Sequence, residues 1–179
     1  MIDIFPTQLQ PKLSRVKLLA LDVDGVLTDG GLYYTESGEE FKKFNVKDGM
    51  GIKLLMRSSI EVAIISANSS SATIHRAKKL GIEHCFIGIE NKLDVLNNLC
   101  DRLNISLEEV AYVGDDINDI PILQSVGCPM TVADAMTENM KHVIYITKTL
   151  GGRGAIREVS ELILQATVIP AREVSQTTY

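Results

Sequence analysis

The sequence predicts an α/β fold: a Rossmann-like, mainly parallel sheet with helices on both faces and a small β-hairpin insertion. Three observations predict it. Short aliphatic runs at 16–21, 60–65 and 110–113 suit strands buried on both faces of a parallel sheet. Between them lie segments with apolar residues at helical spacing, such as Leu93, Leu96, Leu99 and Leu103. Each run then stops at a polar signature: Asp22-Val23-Asp24-Gly25, Ser66-Ala67-Asn68 and Gly114-Asp115-Asp116. Ligands of open α/β sheets bind beyond the carboxyl ends of the strands, so these tips share one crevice if the strands are neighbours.

Taken in order, residues 1–15 carry Pro6 and Pro11 and read as an irregular lead-in to the first strand. Residues 32–35 and 40–46 flank Ser37-Gly38 and predict a hairpin turning there. Residues 49–58 read as a helix, 60–65 as the second buried strand, and 69–80 as a helix closed by Gly81. A short strand is expected at 84–87, a leucine-striped helix at 91–103, and a short helix opened by Ser106. The strand at 110–113 follows, then a helix at 119–126, short strands at 128–132 and 143–146, and a helix at 155–166. No pattern is evident from about Val168 onward. The hairpin at 31–47 is too small to be a domain, so residues 1–179 are expected to form one domain, with the hairpin as a flap or an oligomerisation element.

Composition narrows the function classes. Apolar residues make up 45% and charged residues 23% of 179, the mix of an ordinary soluble globular chain. Trp is absent, so the core must be mostly aliphatic. Net charge is -5 with no dense basic run, so nucleic acid is not expected as a partner. Cys85, Cys100 and Cys128 are far apart with no CxxC spacing, which favours buried free thiols in a reducing compartment. No segment has the length of a signal peptide core or of the ~18-residue apolar run a membrane helix needs, so a cytoplasmic protein is expected. His75, His84 and His142 show no ligand-like spacing.

The strand tips carry the chemistry. Asp22, Asp24 and Asp115 offer hard oxygen ligands of the kind magnesium prefers, often shared with a phosphate. Asp-Gly pairs also occur because they make turns. Turn chemistry does not account for two acidic tips in this order with a serine tip and a lysine between them.

These residues carry a resemblance. Asp22-Val23-Asp24-Gly25-Val26-Leu27-Thr28-Asp29 resembles the first motif of the haloacid dehalogenase superfamily. Ser66 falls at its second motif, Lys92 at its third, and Gly114-Asp115-Asp116-Ile117-Asn118-Asp119 at its fourth. The resemblance spans about residues 16 to 165. It implies a magnesium-dependent phosphatase in which Asp22 is the nucleophile, forming an aspartyl-phosphate. Asp24 would then be the acid and base, and Ser66 and Lys92 would hold phosphoryl oxygens. It also implies that magnesium is held by the Asp22 carboxylate, the Asp24 main-chain carbonyl and Asp115, with Asp116 and Asp119 behind them. A solvated helix face is the other reading of Lys92, and Asp29 reads equally well as a turn residue.

Within the superfamily the chain resembles the phosphatases of 3-deoxy-D-manno-octulosonate 8-phosphate, through the hairpin and Gly151-Gly152-Arg153-Gly154-Ala155. That resemblance implies a fold with no large cap domain, a small phosphorylated sugar acid as substrate, a place in lipopolysaccharide biosynthesis, and a homotetramer in which a neighbour covers each site. One departure stands out: the family commonly has Gly-Arg after the second-motif residue, where this chain has Ala67-Asn68. Asn68, Arg76, Lys79 and Arg153 are therefore the expected contacts to the sugar acid, although a solvated face explains Arg76 and Lys79 as well. Alternatives are a sialic-acid-type nonulosonate 9-phosphate, another small phosphorylated metabolite, or a non-catalytic scaffold related to sialic-acid cytidylyltransferases.

Overall fold

The computed structural model describes residues 7–168. The expectations for residues 1–6 and for the stretch after Val168 lie outside the described residues. The lead-in is less irregular than expected, because Pro11 sits in the first turn of a short helix, α1 (Gln10–Leu13), where its missing N–H costs nothing.

The chain then runs through β1 (Leu18–Leu21), the short strands β2 (Tyr33–Tyr34) and β3 (Glu40–Phe41), and α2 (Val46–Arg57). Next come β4 (Glu61–Ile65), α3 (Ser71–Leu80), β5 (His84–Phe86), α4 (Lys92–Leu103) and β6 (Val110–Val113). The last elements are α5 (Ile120–Leu123), β7 (Cys128–Thr131), α6 (Thr137–Met140), β8 (Tyr145–Ile146) and α7 (Ala155–Val168). Among the described residues, six strands form one parallel sheet in the order β5-β4-β1-β6-β7-β8. The strand β1, which leads into Asp22, is thus central, flanked by β4, which leads to Ser66, and β6, which leads to Asp115.

Register and alternation build the core. Leu19 and Leu21 of β1, with their neighbours Val62, Ile64, Ala111 and Val113, face one apolar cluster. That cluster includes Ile52 and Leu55 of α2 and Ile156, Val159 and Ile163 of α7. Leu18 and Ala20 face the other, with Ala63, Ile65, Val110 and Tyr112, packed on Leu96 and Leu99 of α4 and Ile122 of α5. Helices therefore cover both faces, as parallel strands require. The helix α2 docks on α7 closely: Asp48 Oδ1 accepts the Arg157 N–H at 2.9 Å near the start of α7.

Among the boundaries that differ from the sequence-based reading, two stand out. The hairpin forms, with Tyr33 opposite Phe41, but its second strand ends at Phe41 rather than running to residue 46. The cause is Asn45, whose side chain accepts the Lys47 N–H at 2.8 Å and so starts α2 at Val46. The helix expected at 119–126 is instead a 3-10 turn at Ile117–Asp119 followed by the short α5. Gly81 closes α3 in the left-handed region (φ 84°), as expected.

Candidate active site

Asp22 follows β1 directly, and its N–H bonds the Val113 carbonyl of β6 at 3.0 Å, which extends the ladder one residue past the strand. Ser66 follows β4 and is anchored in the same way, by Phe86 of β5 at 2.9 Å. The three tips do converge. Asp22, Asp24, Ser66, Asn68, Asp115 and Asp116, with Ala67 and Asn118, line one cleft of about 190 Å³.

Lys92 joins them from α4. Asn91 accepts the Asp94 N–H at 3.3 Å, so the helix begins at Lys92 and its side chain leaves the first turn toward the strand tips. Its ammonium lies 3.0 Å from Asp22 Oδ1 and 2.7 Å from Asp119 Oδ1. The side chain is only 2% exposed, so a solvated helix face is not its environment. Burial works against the charge on Lys92, but Asp22 and Asp119 outweigh it and its pKa moves up.

Asp119 is fully buried and each oxygen is committed. Oδ1 also accepts the Tyr112 hydroxyl at 2.6 Å, and Oδ2 accepts the Asp115 and Asp116 N–H groups at 3.0 and 3.3 Å. Asp116 is exposed, and its Oδ1 accepts the Ile117 N–H at 2.7 Å.

The donor set fits a hard cation. Asp22, Asp115 and Asp119 each present an oxygen within 4.8 Å of the others, with no thiolate or imidazole among them. Because Asp119 is already saturated, Asp22 and Asp115 are the carboxylates with capacity to bind. Burial and then the Asp119 charge raise the pKa of Asp22 despite Lys92. Burial, then Asp22, raises Asp115 to about 8. Two buried carboxylates that resist ionisation side by side are what a divalent cation relieves.

The loop between them depends on glycine. Gly25 has φ +83°, and a Cβ there would lie 1.9 Å from Asp115 Oδ2. Gly151 and Gly152 pack on the same loop: a Cβ on Gly151 would meet the Gly25 carbonyl oxygen at 1.7 Å, and the Gly152 N–H bonds the Val26 carbonyl at 2.9 Å.

Asn68 lines the cleft, but its Oδ1 is taken by the Ser70 N–H at 2.7 Å. Arg76 and Lys79 do not line it. The Arg76 guanidinium donates to the Asn45 carbonyl at 3.1 Å and lies over the Phe44 ring, while Lys79 is exposed on α3. Arg153 is also outside the cleft, 60% exposed and 3.9 Å from Asp29.

Sequence reasoning missed three residues here. Lys42, from the segment after β3, bonds both Asp24 oxygens at 2.5 and 2.7 Å, although Lys42-Lys43 reads as a solvated pair. Asp29 is not merely a turn residue: it pairs with Lys43, and that hydrogen bond depresses its pKa. Tyr112 had a readable signal, since a hydroxyl in the middle of a doubly buried strand needs a partner.

A haloacid dehalogenase-like hydrolase profile matches residues 89–157, which include Lys92 and the Asp115–Asp119 stretch. The chain is 46% identical over 160 residues to the 3-deoxy-D-manno-octulosonate 8-phosphate phosphatase KdsC of Salmonella typhi, covering 89% of this chain and 85% of that one. The chain belongs to this phosphatase family. Solved structures of the family superpose over most of the fold. A probable YrbI family phosphatase from Pseudomonas syringae pv. phaseolica has TM-score 0.87 and 48% identity, covering 89% of this chain and 90% of that one. The 3-deoxy-D-manno-octulosonate 8-phosphate phosphatase of Moraxella catarrhalis, in complex with magnesium, phosphate and KDO, has TM-score 0.89 and 40% identity, covering 91% and 94%.

Proposed function

We propose that the protein is a magnesium-dependent phosphomonoesterase that converts 3-deoxy-D-manno-octulosonate 8-phosphate to the free sugar acid and phosphate. The observation that carries the chemistry is Asp22, held 3.0 Å from Lys92 and grouped with Asp115 at the tips of adjacent strands. The sugar is supported by 46% identity to the Salmonella typhi phosphatase over most of both chains.

An Asp22 oxygen bonds to phosphorus as the bond to the sugar oxygen breaks, and the Asp24 carboxyl gives that oxygen its proton. Water then attacks phosphorus and passes its proton to Asp24. The Asp22–phosphorus bond breaks and inorganic phosphate leaves. Ser66 and Lys92 hold phosphoryl oxygens and offset their charge, and Asp119 fixes Lys92. The Asp22 and Asp115 carboxylates and the Asp24 main-chain carbonyl are the ligands for magnesium. When bound there, magnesium supplies positive charge against the phosphoryl oxygens.

The proposal extends to assembly and place. Leu32, Tyr33, Tyr34 and Phe41 of the flap are all exposed, an apolar surface suited to a subunit interface. A homotetramer in which a neighbour supplies Arg153 to each site would give the sugar acid the cation that Arg76 and Lys79 do not. No described helix is long and apolar enough to cross a membrane, and we place the enzyme in the cytoplasm. The chain is one catalytic domain in this reading.

One observation favours a second substrate: Asn68 stands where the family commonly has Arg, which leaves the sugar end open to a nonulosonate 9-phosphate. A panel of sugar phosphates tests both, with Asp22→Asn as the inactive control. Highest kcat/KM for the octulosonate ester supports the proposal. Preference for the nine-carbon ester replaces the sugar and keeps the chemistry.

A further inference from the structure

We infer that Lys42, carried on the flap, is a positioning residue for Asp24: it orients the carboxylate that exchanges a proton with the leaving oxygen. The inference rests on the phosphatase reading above.

The geometry is specific. The Lys42 ammonium is 2.5 Å from Asp24 Oδ1 and 2.7 Å from Oδ2, so it sits near the carboxylate's bisector. The lone pairs between the two oxygens are thereby occupied, and the outer ones remain for the leaving oxygen and for water. The Lys42 side chain is 1% exposed while Asp24 is 33% exposed, so the fixed partner is the lysine and the accessible partner is the acid. A surface pair would have the opposite character, with a long mobile lysine giving little orientation.

Lys42 is itself held. Glu40 Oε1 lies 3.4 Å from its ammonium, and Oε2 accepts the Tyr34 hydroxyl at 3.3 Å across the hairpin. The flap therefore holds the acid through Lys42, with Glu40 and Tyr34 behind it. Without Lys42 the Asp24 side chain regains rotamer freedom, and misplacement on the scale of 1 Å can cost about a hundredfold in rate. An ammonium has no lone pair to accept a proton, so Lys42 is not the base, and it acts through Asp24.

The test separates this role from packing and from substrate binding. Wild type, Lys42→Met and Lys42→Arg are compared on substituted phenyl phosphates of near-equal size and graded leaving-group basicity. Only kcat/KM is read, which reports phosphorylation of the enzyme. The methionine variant is expected to lose about tenfold or more on phenyl phosphate and under about twofold on p-nitrophenyl phosphate, whose leaving group needs no proton. The arginine variant should recover part of the loss on phenyl phosphate. Equal losses on both esters, or none, would overturn the inference in favour of flap packing. If Lys42→Met does not fold, Lys42→Arg and Glu40→Gln must show the same steepened leaving-group dependence in smaller measure, and unchanged slopes overturn the role. A wild type with no metal-dependent turnover of either ester overturns the phosphatase reading, and this role with it.

Discussion

Asp119 holds the Lys92 ammonium 2.7 Å from its Oδ1 with neither side chain meeting solvent. The same oxygen takes the Tyr112 hydroxyl, and the other takes two main-chain N–H groups at the cleft. One buried carboxylate therefore sets both the Lys92 ammonium beside Asp22 and the peptide that carries Asp115. Tyr112→Phe should cost about 1 kcal/mol of stability, the usual net worth of one hydrogen bond. Asp119→Asn should cost more, about 1.5–3 kcal/mol, because it removes the nearer of the buried lysine's two counter-charges, Asp22 remaining at 3.0 Å. Denaturant unfolding checks both, and equal losses in the two variants would contradict the arrangement.

The metal-free protein should lose stability as pH rises. Asp115 titrates at about 8 in the fold, pushed up by burial and then by Asp22, against 3.8 for an ordinary Asp. Between those values the folded state binds more protons than the unfolded state, so this contribution is present below about 4 and lost through about 8. The melting temperature without metal should fall across that window, and Asp115→Asn should flatten the fall. Added magnesium should raise the melting temperature more at pH 8 than at pH 5. An unchanged pH dependence in Asp115→Asn would refute the assignment.

Gly25→Ala should disable metal binding. Its Cβ would lie 1.9 Å from Asp115 Oδ2, at a φ of +83° that alanine also resists. Asp115 must then turn away from Asp22, and magnesium affinity measured by calorimetry should fall at least about tenfold, the scale of displacing one ligand's support. Wild-type affinity in this variant would show that Asp115 does not bind the ion.

Arg153→Ala should discriminate between substrates. Its guanidinium is 60% exposed and held only loosely by Asp29 at 3.9 Å, so it is free to meet a carboxylate on a molecule docked nearby. Loss of one charge-assisted contact costs ~1.5–3 kcal/mol, roughly ten- to a hundredfold in kcat/KM for the sugar acid ester. A small aryl phosphate should be spared. Equal losses on both would assign Arg153 to the fold instead.

Much of this site could be read from spacing alone, because strand ends in a parallel sheet converge whatever their sequence separation. Asp22, Ser66 and Asp115 were legible for that reason, and Lys92 through its motif position. What was not legible depends on contacts between segments whose relative placement spacing does not encode. Lys42 looks like any solvated lysine until the flap folds over Asp24. Arg76 and Lys79 share a helix with the right charge, yet Phe44 and the Asn45 carbonyl claim Arg76, and Lys79 stays in solvent. Asn45 reads as a strand residue because residues 40–46 run on from the hairpin turn with no Gly or Pro to mark a break.

The contact between Gly151 and the Gly25 carbonyl joins distant parts of the chain at the loop that follows Asp22. During synthesis this has an order. The strand bearing Asp22 leaves the ribosome before its neighbours β4 and β6, and the glycine segment that packs against its loop leaves after all three. Domains fold as they emerge, from the N-terminal side. A nascent chain halted before Gly151 would have its acidic cluster without the backing that shapes the Gly25 turn. Competence for phosphate chemistry would therefore be withheld until Gly151 and Gly152 have been made, and a truncation that removes this segment would silence the enzyme while sparing Asp22, Asp24, Ser66, Lys92 and Asp115.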